Sequence, residues 1–421
     1  MFYIKKISSQ KIIDYCILFL PIFFLLGPAF VNFISVLFSI LFLFISIKNK
    51  NWFWLKLSFV RIFFLFWLYL IFNSFFATDF NASFQAAVGF VRFFLFALVI
   101  GFYAFKEVSF NKIIKTWFVI ILLFCFDIYF QFFFKFNIFG FEQHTEGRLS
   151  GVLGKELVAG SFLAQIFAPV LGLIAFLIFF KKLKVIKKFF LIFSLVYILL
   201  ACLITGERMN FIFLTSLILI LFSLILFYNK EFNKFFLLIL LLFIIFISAF
   251  NFSKNVETRY KEFGSIVTNI TYSSWWKLYN SAYRLWLKKP LTGYGLKNYR
   301  VDCDLELIDI NPESPHQLCS THPHNLYLEL LSETGLIGLF FFLSFFFVFF
   351  KKIFTKIKFK LRDLNTLIIV SCSISIFLIL WPMKTSGSFY TSWNGLFLWL
   401  LLGIVLNKRN YINKQKNYIN N

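Results

Sequence analysis

Residues 322–350 read HPHNLYLELLSETGLIGLFFFLSFFFVFF, a cluster of polar side chains followed by a long apolar run. A helix needs about 20 mostly apolar residues to cross the hydrocarbon core of a bilayer. The stretch therefore predicts a membrane-spanning helix over about 325–350. Histidine, amide and carboxylate groups gathered where such a helix begins also indicate a functional site at the membrane surface.

The rest of the chain has the same apolar character. Of its 421 residues, 60% are hydrophobic, 23% are aromatic and 14% are charged, and the mean hydropathy is +0.82. These values are typical of an all-α, polytopic membrane protein. We predict about 12 transmembrane helices, at about 12–30, 31–47, 58–76, 83–105, 113–135, 158–180, 189–205, 210–228, 235–252, 325–350, 364–382 and 391–407.

The distribution of basic residues predicts the orientation, because short loops rich in Lys and Arg stay in the cytoplasm. With the N-terminus inside, the inner segments hold most of the cations, and the short outer loops hold only Arg148, Lys155, Arg208 and Lys384. Both termini are then cytoplasmic. The chain divides into transmembrane helices 1–9 (1–252), an outer loop (253–323), helices 10–12 (324–407) and a cytoplasmic tail (408–421).

The net charge of +23 does not indicate a nucleic-acid-binding protein. Its cations are spread over successive inner edges instead of being gathered with aromatic residues on one domain. We therefore expect membrane lipids, with their anionic headgroups, as neighbours of these cations, and no nucleic-acid partner.

The outer loop contains aromatic residues at helical spacing: Trp275, Trp276, Tyr279, Tyr283 and Trp286. They predict a short helix with an aromatic face. Such a helix is either anchored in the membrane interface or a platform on which sugar rings pack, and both readings stay open because Trp and Tyr suit either surface.

Two cysteines, Cys303 and Cys319, lie in the outer loop and form a disulfide if that side is an oxidising periplasm. A metal site is a weaker interpretation. His316, Cys319, His322 and His324 could be imagined as ligands, but their spacing matches no standard zinc pattern, so we expect no metal ion.

The polar cluster itself predicts an anion-binding helix start. Pro323 fits the first turn of a helix, where its missing N–H is tolerated, and it holds His322 outside in an extended conformation. His324 and Asn325 then lie near the positive end of the helix dipole, which attracts an anionic ligand. The alternative is that these groups only cap the helix.

Two carboxylates follow on one face of the same helix, at Glu329 and Glu333. A neutral imidazole can accept a proton from a hydroxyl group while a carboxylate orients it. Gly335 and Gly338 predict close packing of this helix against another.

A second polar sequence, Thr205-Gly206-Glu207-Arg208, opens an apolar run on the predicted outer side. The planar fork of Arg208 suits phosphate oxygens. The alternative is an arginine that pairs with Glu207 or reaches lipid headgroups.

Three sequences in this order resemble the O-antigen ligase and polymerase superfamily of bacterial inner-membrane glycosyltransferases: Thr205–Arg208, the outer-loop segment KPLTGYGLKNY (289–299), and HNLYLE…ETGLIG (324–338). They cover roughly the C-terminal half of the chain. The Gly-x-Gly alone would mean little, since it lacks the strand and the third glycine of a dinucleotide-binding loop.

The resemblance implies a donor glycan on undecaprenyl diphosphate, a periplasmic active site and an acceptor hydroxyl. Ligases use a sugar of the lipid A core, polymerases use another lipid-linked repeat, and relatives use serine or threonine in proteins. No cofactor is implied. By position, the family's histidine falls on His324 and its first arginine on Arg208. The loop arginine of the family is replaced here by Ser274 or Trp275, so Arg259 and Arg284 are the candidates for its role.

The expected mechanism is a single, inverting displacement at the anomeric carbon. His324 would accept the proton of the acceptor hydroxyl, while Arg208 and a second arginine would bind the departing diphosphate. His322, Asn325, Glu329, Glu333, Trp275 and Trp276 would line the substrate site. Ligase is the first choice and polymerase or protein glycosylation the alternative. A transporter ranks lower because the unusual polar residues collect on the outer side and not at mid-membrane.

Overall fold

The computed structural model describes residues 8–143, 147–252, 254–306, 319–355 and 361–419. These described residues are 77% helical, and no strand occurs among them. The all-α prediction is therefore confirmed. Six helices come first in the chain: α1 (Ser9–Leu18), α2 (Leu20–Leu25), α3 (Pro28–Lys48), α4 (Ser58–Ser74), α5 (Phe80–Tyr103) and α6 (Phe110–Phe134).

Five helices follow before the predicted outer loop: α7 (Ala159–Ile166), α8 (Ala168–Phe180), α9 (Val185–Ile204), α10 (Arg208–Tyr228) and α11 (Phe232–Phe252). The loop contains α12 (Lys254–Thr268), α13 (Ser274–Lys288) and α14 (Tyr299–Glu306). The last three helices are α15 (Leu326–Phe354), α16 (Leu364–Ile379) and α17 (Ser392–Ile419).

In the part of the chain that the structure describes, six helices are long and apolar enough to cross a membrane, namely α3, α5, α6, α9, α10 and α15. A seventh span is formed if α7 and α8, which meet at 51°, are taken as one. The chain is therefore a multi-pass membrane protein, and its predicted number of about 12 spans stays a prediction.

Three predicted boundaries differ from the structure. The segment predicted over 12–30 is interrupted at Phe19, beside Pro21, and again at Gly27, which has φ +105°. The segment predicted over 158–180 bends where Pro169 lies in the first turn of α8. Proline removes a backbone donor in both places. At the other end of the chain, α17 continues to Ile419 because the charges that marked its predicted end do not break a helix.

An aromatic cluster joins four helices in the core. The ring of Phe63 on α4 stacks on Phe94 of α5 with centroids 3.9 Å apart, and the Trp399 ring of α17 lies 5.6 Å from Phe63 and 5.7 Å from Phe345 of α15. Aromatic pairs at such distances stabilise by about 0.5–1.5 kcal/mol each beyond their burial. Outward-facing apolar side chains are between 60% and 68% exposed, as expected for surfaces that face lipid: Phe33, Ile40, Phe72, Leu123 and Phe347.

The long helix α15 is broken at Gly335, whose φ is +63° and ψ is −167°. The outer-loop segment 290–295 docks at this break. The N–H of Leu336 donates to the carbonyl of Pro290 (2.9 Å), and the N–H of Gly295 donates to the carbonyl of Glu333 (2.8 Å). The loop thus supplies backbone partners that the interrupted helix lacks, which satisfies buried polar groups.

A side chain would not fit at either of the two glycines of this contact, Gly335 and Gly293. A Cβ on Gly335 would lie 2.2 Å from the Leu291 carbonyl oxygen, and one on Gly293 would lie 2.5 Å from the Glu333 carbonyl carbon. The prediction that Gly335 serves helix-to-helix packing is therefore wrong in its partner. Gly335 admits a loop, and a Cβ on Gly338 would meet the Thr334 side chain of the same helix.

The predicted aromatic helix of the outer loop is confirmed as α13, which packs against α15. A small core holds it in place, formed by Ala282, Leu285, Tyr294, Tyr299 and Cys303. A disulfide joins Cys303 and Cys319, with Cα atoms 5.8 Å apart. These contacts fix the loop on the start of α15.

Candidate active site

His324 lies in a tight turn just before α15. Its φ is +55°, an uncommon conformation for a residue other than glycine. Its carbonyl accepts a hydrogen bond from the Ser386 N–H (2.9 Å), and Asn325 caps the helix by accepting from the N–H groups of Tyr327 (3.0 Å) and Leu328 (3.1 Å). Strain held by surrounding contacts is common in active sites.

Pro323 is not in the first turn of α15, contrary to the prediction. The helix begins at Leu326 because Asn325 provides the N-cap side chain, and Pro323 lies two residues before that cap. The expected placement of His324 and Asn325 at the start of the helix is confirmed.

The two imidazoles of this turn lie side by side, with ring centroids 4.0 Å apart. Trp275 of α13 packs edge-on against His324 at 5.2 Å. The Nδ1 atom of His322 is 3.0 Å from the Thr321 hydroxyl, while its Nε2 atom is buried and has no hydrogen-bond partner among the described residues. This Nε2 is thus available to a ligand.

Both imidazoles are neutral near neutral pH. Burial, together with the adjacent His324 ring and Arg300, lowers the pKa of His322 to about 4, although the nearby Ser386 backbone opposes the shift. Burial also lowers the pKa of His324. A neutral imidazole offers a nitrogen lone pair, which is what a general base needs.

Glu329 and Glu333 are both buried, and each accepts a hydrogen bond from a backbone amide. Glu329 accepts from the N–H of Phe389 (3.0 Å), and Glu333 accepts from the N–H of Tyr299 (3.4 Å). These carboxylates therefore tie the loops on either side of the turn to α15. The expected orientation of His324 by a carboxylate stays a prediction.

Three arginines converge around Gly206, at the start of α10. A Cβ on Gly206 would lie 3.6 Å from the side chain of Arg148 and 3.8 Å from Arg259 Nε. The Nη1 atom of Arg208 donates to the Arg259 carbonyl (2.8 Å). Glu262 lies 3.9 Å from Arg208 and 3.7 Å from Arg259 and is 51% exposed. Cations thus outnumber carboxylates here, which favours an anionic ligand.

The carboxylate of Glu207 is held at the start of α7, within electrostatic reach of Arg148. This carboxylate accepts from the N–H groups of Gly160 (2.7 Å) and Ser161 (3.2 Å) at the start of α7 and from the side chain of Asn210 (2.7 Å). The positive end of α7 explains this position. The alternative in which Arg208 pairs with Glu207 is therefore not the observed arrangement.

One segment, 382–386, links the histidine turn to the arginine helix. The Pro382 carbonyl accepts from the Asn325 side chain (2.6 Å), and the Ser386 N–H donates to His324. Between them, Lys384 is only 8% exposed, and its Nζ lies 4.7 Å from the Phe213 ring of α10. His324 and Arg208 are thus at the same end of the helices, joined by one short segment.

Lys384 was not predicted as a site residue. Burial lowers its pKa to about 8, while the charge of Glu207 opposes the shift. Its sequence signal was its location: Arg148, Arg208 and Lys384 are three of the four cations in the short outer loops. A cation retained where cations are scarce is a useful indication of a site.

The remaining candidate residues lie in two places, beside the arginine cluster and on the exposed part of α13. Arg259 lies beside Arg208, whereas Arg284 is exposed on α13, about 13 Å along the helix from Trp275 at 1.5 Å per residue. Trp276 is 43% exposed. Arg300, which sequence reasoning missed, directly follows the 289–299 segment and acts on the pKa of His322. Its position next to a recognised motif was the available signal. The imagined ligand His316 lies outside the described residues.

Residues 193–343 match the family model described as O-antigen ligase. This part of the chain is similar to an O-antigen ligase domain, and the predicted resemblance to that superfamily is confirmed. The domain contains Arg208, Arg259, Trp275 and His324. Segment 382–386 lies beyond it.

A protein of Rickettsia conorii that is provisionally named a polysaccharide ligase is 46% identical over 59 residues. That match covers 14% of this chain and 14% of the relative. This match supports the resemblance to the superfamily, and it covers only a short segment of each protein.

Proposed function

We propose that this protein is an O-antigen ligase-type glycosyltransferase. It moves a glycan from undecaprenyl diphosphate to an acceptor hydroxyl, with a sugar of the lipid A core as the first-choice acceptor. The observation that carries the proposal is the link through segment 382–386 between a strained histidine turn and a cluster of three arginines.

The arginine cluster is the proposed diphosphate site. Arg208 and Arg259 are held close together by the hydrogen bond to the Arg259 carbonyl, and Arg148 lies against the same glycine. The carboxylate of Glu262 is exposed, so displacing it costs about 1 kcal/mol or less. A diphosphate then receives planar donors that match its oxygens.

The histidine turn is the proposed site of proton transfer. His324 accepts the proton of the acceptor hydroxyl as that oxygen bonds to the anomeric carbon. The bond between this carbon and the diphosphate oxygen breaks, and the arginines neutralise the departing charge. A single displacement inverts the anomeric configuration. The reaction is proposed to be metal-independent because guanidinium groups supply the cations.

Trp275 and Trp276 are the proposed sugar contacts. Trp275 already packs edge-on against His324, and the neighbouring Trp276 presents a partly exposed indole. Aromatic faces suit the apolar faces of sugar rings. Asn325, Glu329 and Glu333 act on the substrate site by fixing the turn and its flanking loops.

Two features support a periplasmic active site in a bacterial inner membrane. The site shares its end of the helices with the Cys303–Cys319 disulfide, and disulfides persist in oxidising compartments. The same end also has the fewer cations, as outer loops do.

The test is transfer by purified protein in liposomes that contain a labelled undecaprenyl diphosphate glycan and a lipid A core acceptor. His324→Ala should lower the rate by about a hundredfold to ten-thousandfold because the base is lost. Lys155→Ala, an exposed cation of an outer loop, is the control and should transfer at the wild-type rate.

The products distinguish the alternatives. Labelled lipid A core indicates a ligase, lengthened lipid-linked repeats indicate a polymerase, and a labelled serine or threonine peptide indicates a protein glycosyltransferase. Movement of the donor across the bilayer without a covalent product would identify a carrier. Full activity of His324→Ala would remove this residue from the mechanism.

A further inference from the structure

A cavity of about 450 Å³ lies at the opposite end of the helices, between α4, α15 and α17. Its floor is apolar and its rim is basic. The floor is formed by Phe59 and Val348, and the rim by Ser58, Lys351, Lys352 and Arg409. A volume of this size is sufficient for a small-molecule headgroup.

The cations of the rim come from two helices. Lys351 and Lys352 are exposed in the last turn of α15, where they stabilise the negative end of the helix dipole. That role does not account for Arg409, which projects from α17. Its Nε is buried and has no hydrogen-bond partner in the described part of the chain. A buried guanidinium N–H without a partner indicates an acceptor from outside the protein.

The rim has no acidic counterpart. Among the described residues, no carboxylate lines the cavity. The sequence also contains no Asp or Glu between Gly335 and Arg362, or anywhere after Lys384. No carboxylate of the cavity lining therefore neutralises these three cations, and the cavity has a positive potential.

Its surroundings place the cavity at the depth of a membrane interface. Trp52 and Phe53, in the turn before α4, are 42% and 41% exposed, and exposed aromatic residues at a helix end are typical of the headgroup level. Below the rim, Phe59 is buried against Phe349, with ring centroids 5.3 Å apart. The basic rim and the apolar floor below it therefore match the charged headgroup and the apolar acyl chains of a lipid.

We propose that this cavity binds the phosphate headgroup of an anionic phospholipid. The phosphate contacts Lys351, Lys352 and Arg409, and the first part of an acyl chain lies along Phe59 and Val348. Basic pockets between membrane helices bind such headgroups. The inference stands apart from the proposed transferase site and does not depend on it.

The test measures lipid retention. The full chain is reconstituted in nanodiscs of equal parts phosphatidylglycerol and phosphatidylcholine, transferred to detergent, and analysed by native mass spectrometry. The wild type should retain phosphatidylglycerol selectively. Each cation near a membrane surface contributes about fivefold in affinity, so Lys351→Gln with Lys352→Gln and Arg409→Gln should lower the affinity about a hundredfold.

A matched control removes three exposed lysines elsewhere on the same predicted membrane edge, by Lys182→Gln, Lys184→Gln and Lys187→Gln. It should retain the lipid as the wild type does. If the triple cavity variant does not purify as a folded protein, retention of phosphatidylglycerol is measured for Arg409→Gln alone, which should also be lowered.

Two results would overturn the proposal. The first is equal retention by the cavity variant and the wild type, or an equal loss in the control. The second is displacement of the lipid by inorganic phosphate alone, with phosphate bound in its place. That result would assign the cavity to a free anion instead of a lipid.

Discussion

The two ends of the helices use charge differently. At the end defined by Arg208 and His324, which we call the arginine–histidine end, the cations of the candidate site are held by named contacts. At the end defined by Lys351 and Lys352, the lysine end, cations are numerous and exposed. Fixed charges suit chemistry at one point, whereas exposed charges suit attraction to a surface. The same substitution should therefore have very different consequences at the two ends.

The largest difference is expected between two arginines. Arg208→Ala should lower the rate of glycan transfer by about a hundredfold to a thousandfold, because a positioned donor to the departing diphosphate is lost. Arg61→Ala removes an exposed arginine of α4 near the lysine end and should leave the rate unchanged. Initial rates in liposomes measure both variants. An equal loss of rate in the two variants would show that the two ends of the helices do not differ in this way.

The next prediction concerns the break in α15. Gly335→Ala forces a positive φ on a residue with a side chain and places its Cβ against Leu291. It should lower the free energy of unfolding by about 3 kcal/mol or more.

Gly264→Ala in α12 is the control, because an added Cβ there meets nothing within 4 Å. It should be neutral or stabilise by up to about 1 kcal/mol. Denaturant unfolding in detergent measures both variants. An unchanged stability for Gly335→Ala would show that the loop does not depend on this contact.

Loss of the disulfide should have a similar but more local effect. Cys303→Ser with Cys319→Ser opens a link between residues separated by 16 positions, which should cost about 3 kcal/mol. Limited proteolysis of α13 and α14 should become faster. A reductant should reproduce this in the wild type and change nothing in the double variant, and a reductant effect in both would point to another cause.

The smallest predicted effect is a pH dependence at Lys384. Burial lowers its pKa to about 8, so the ammonium group loses its proton as the pH rises through that value, well below the range of a free lysine. The Michaelis constant for the donor should then increase severalfold. Lys384→Arg keeps the charge, so in this variant the Michaelis constant should no longer rise with pH. An unchanged dependence of the Michaelis constant on pH in that variant would exclude Lys384 as its source.

The predictable parts of the molecule follow from periodic sequence. Apolar runs predict the long helices, and aromatic spacing predicts α13. The first N-terminal boundary failed beside Pro21, because a continuous apolar composition hides where a missing N–H interrupts the helix, and α3 begins at Pro28 instead of 31.

The site was only partly predictable because it depends on distant contacts. His324 and Arg208 carry recognisable sequence signals, but nothing local distinguishes Arg259 from Arg284. The fold shows which of the two lies beside Arg208, since the Arg259 carbonyl accepts from Arg208, and the role of Arg259 at the diphosphate stays a prediction. Lys384 was seen as an isolated outer cation, and only packing against Phe213 brings it to α10.

The docking of segment 290–295 on the break in α15 has a consequence for biosynthesis. A ribosome releases this segment, together with Arg208, before Gly335 and the rest of α15 have been made. Until α15 enters the bilayer, segment 290–295 lacks the backbone groups to which it binds. The contact between the outer loop and the break in α15 can therefore form only late in synthesis, after the sequence of α15 has been added.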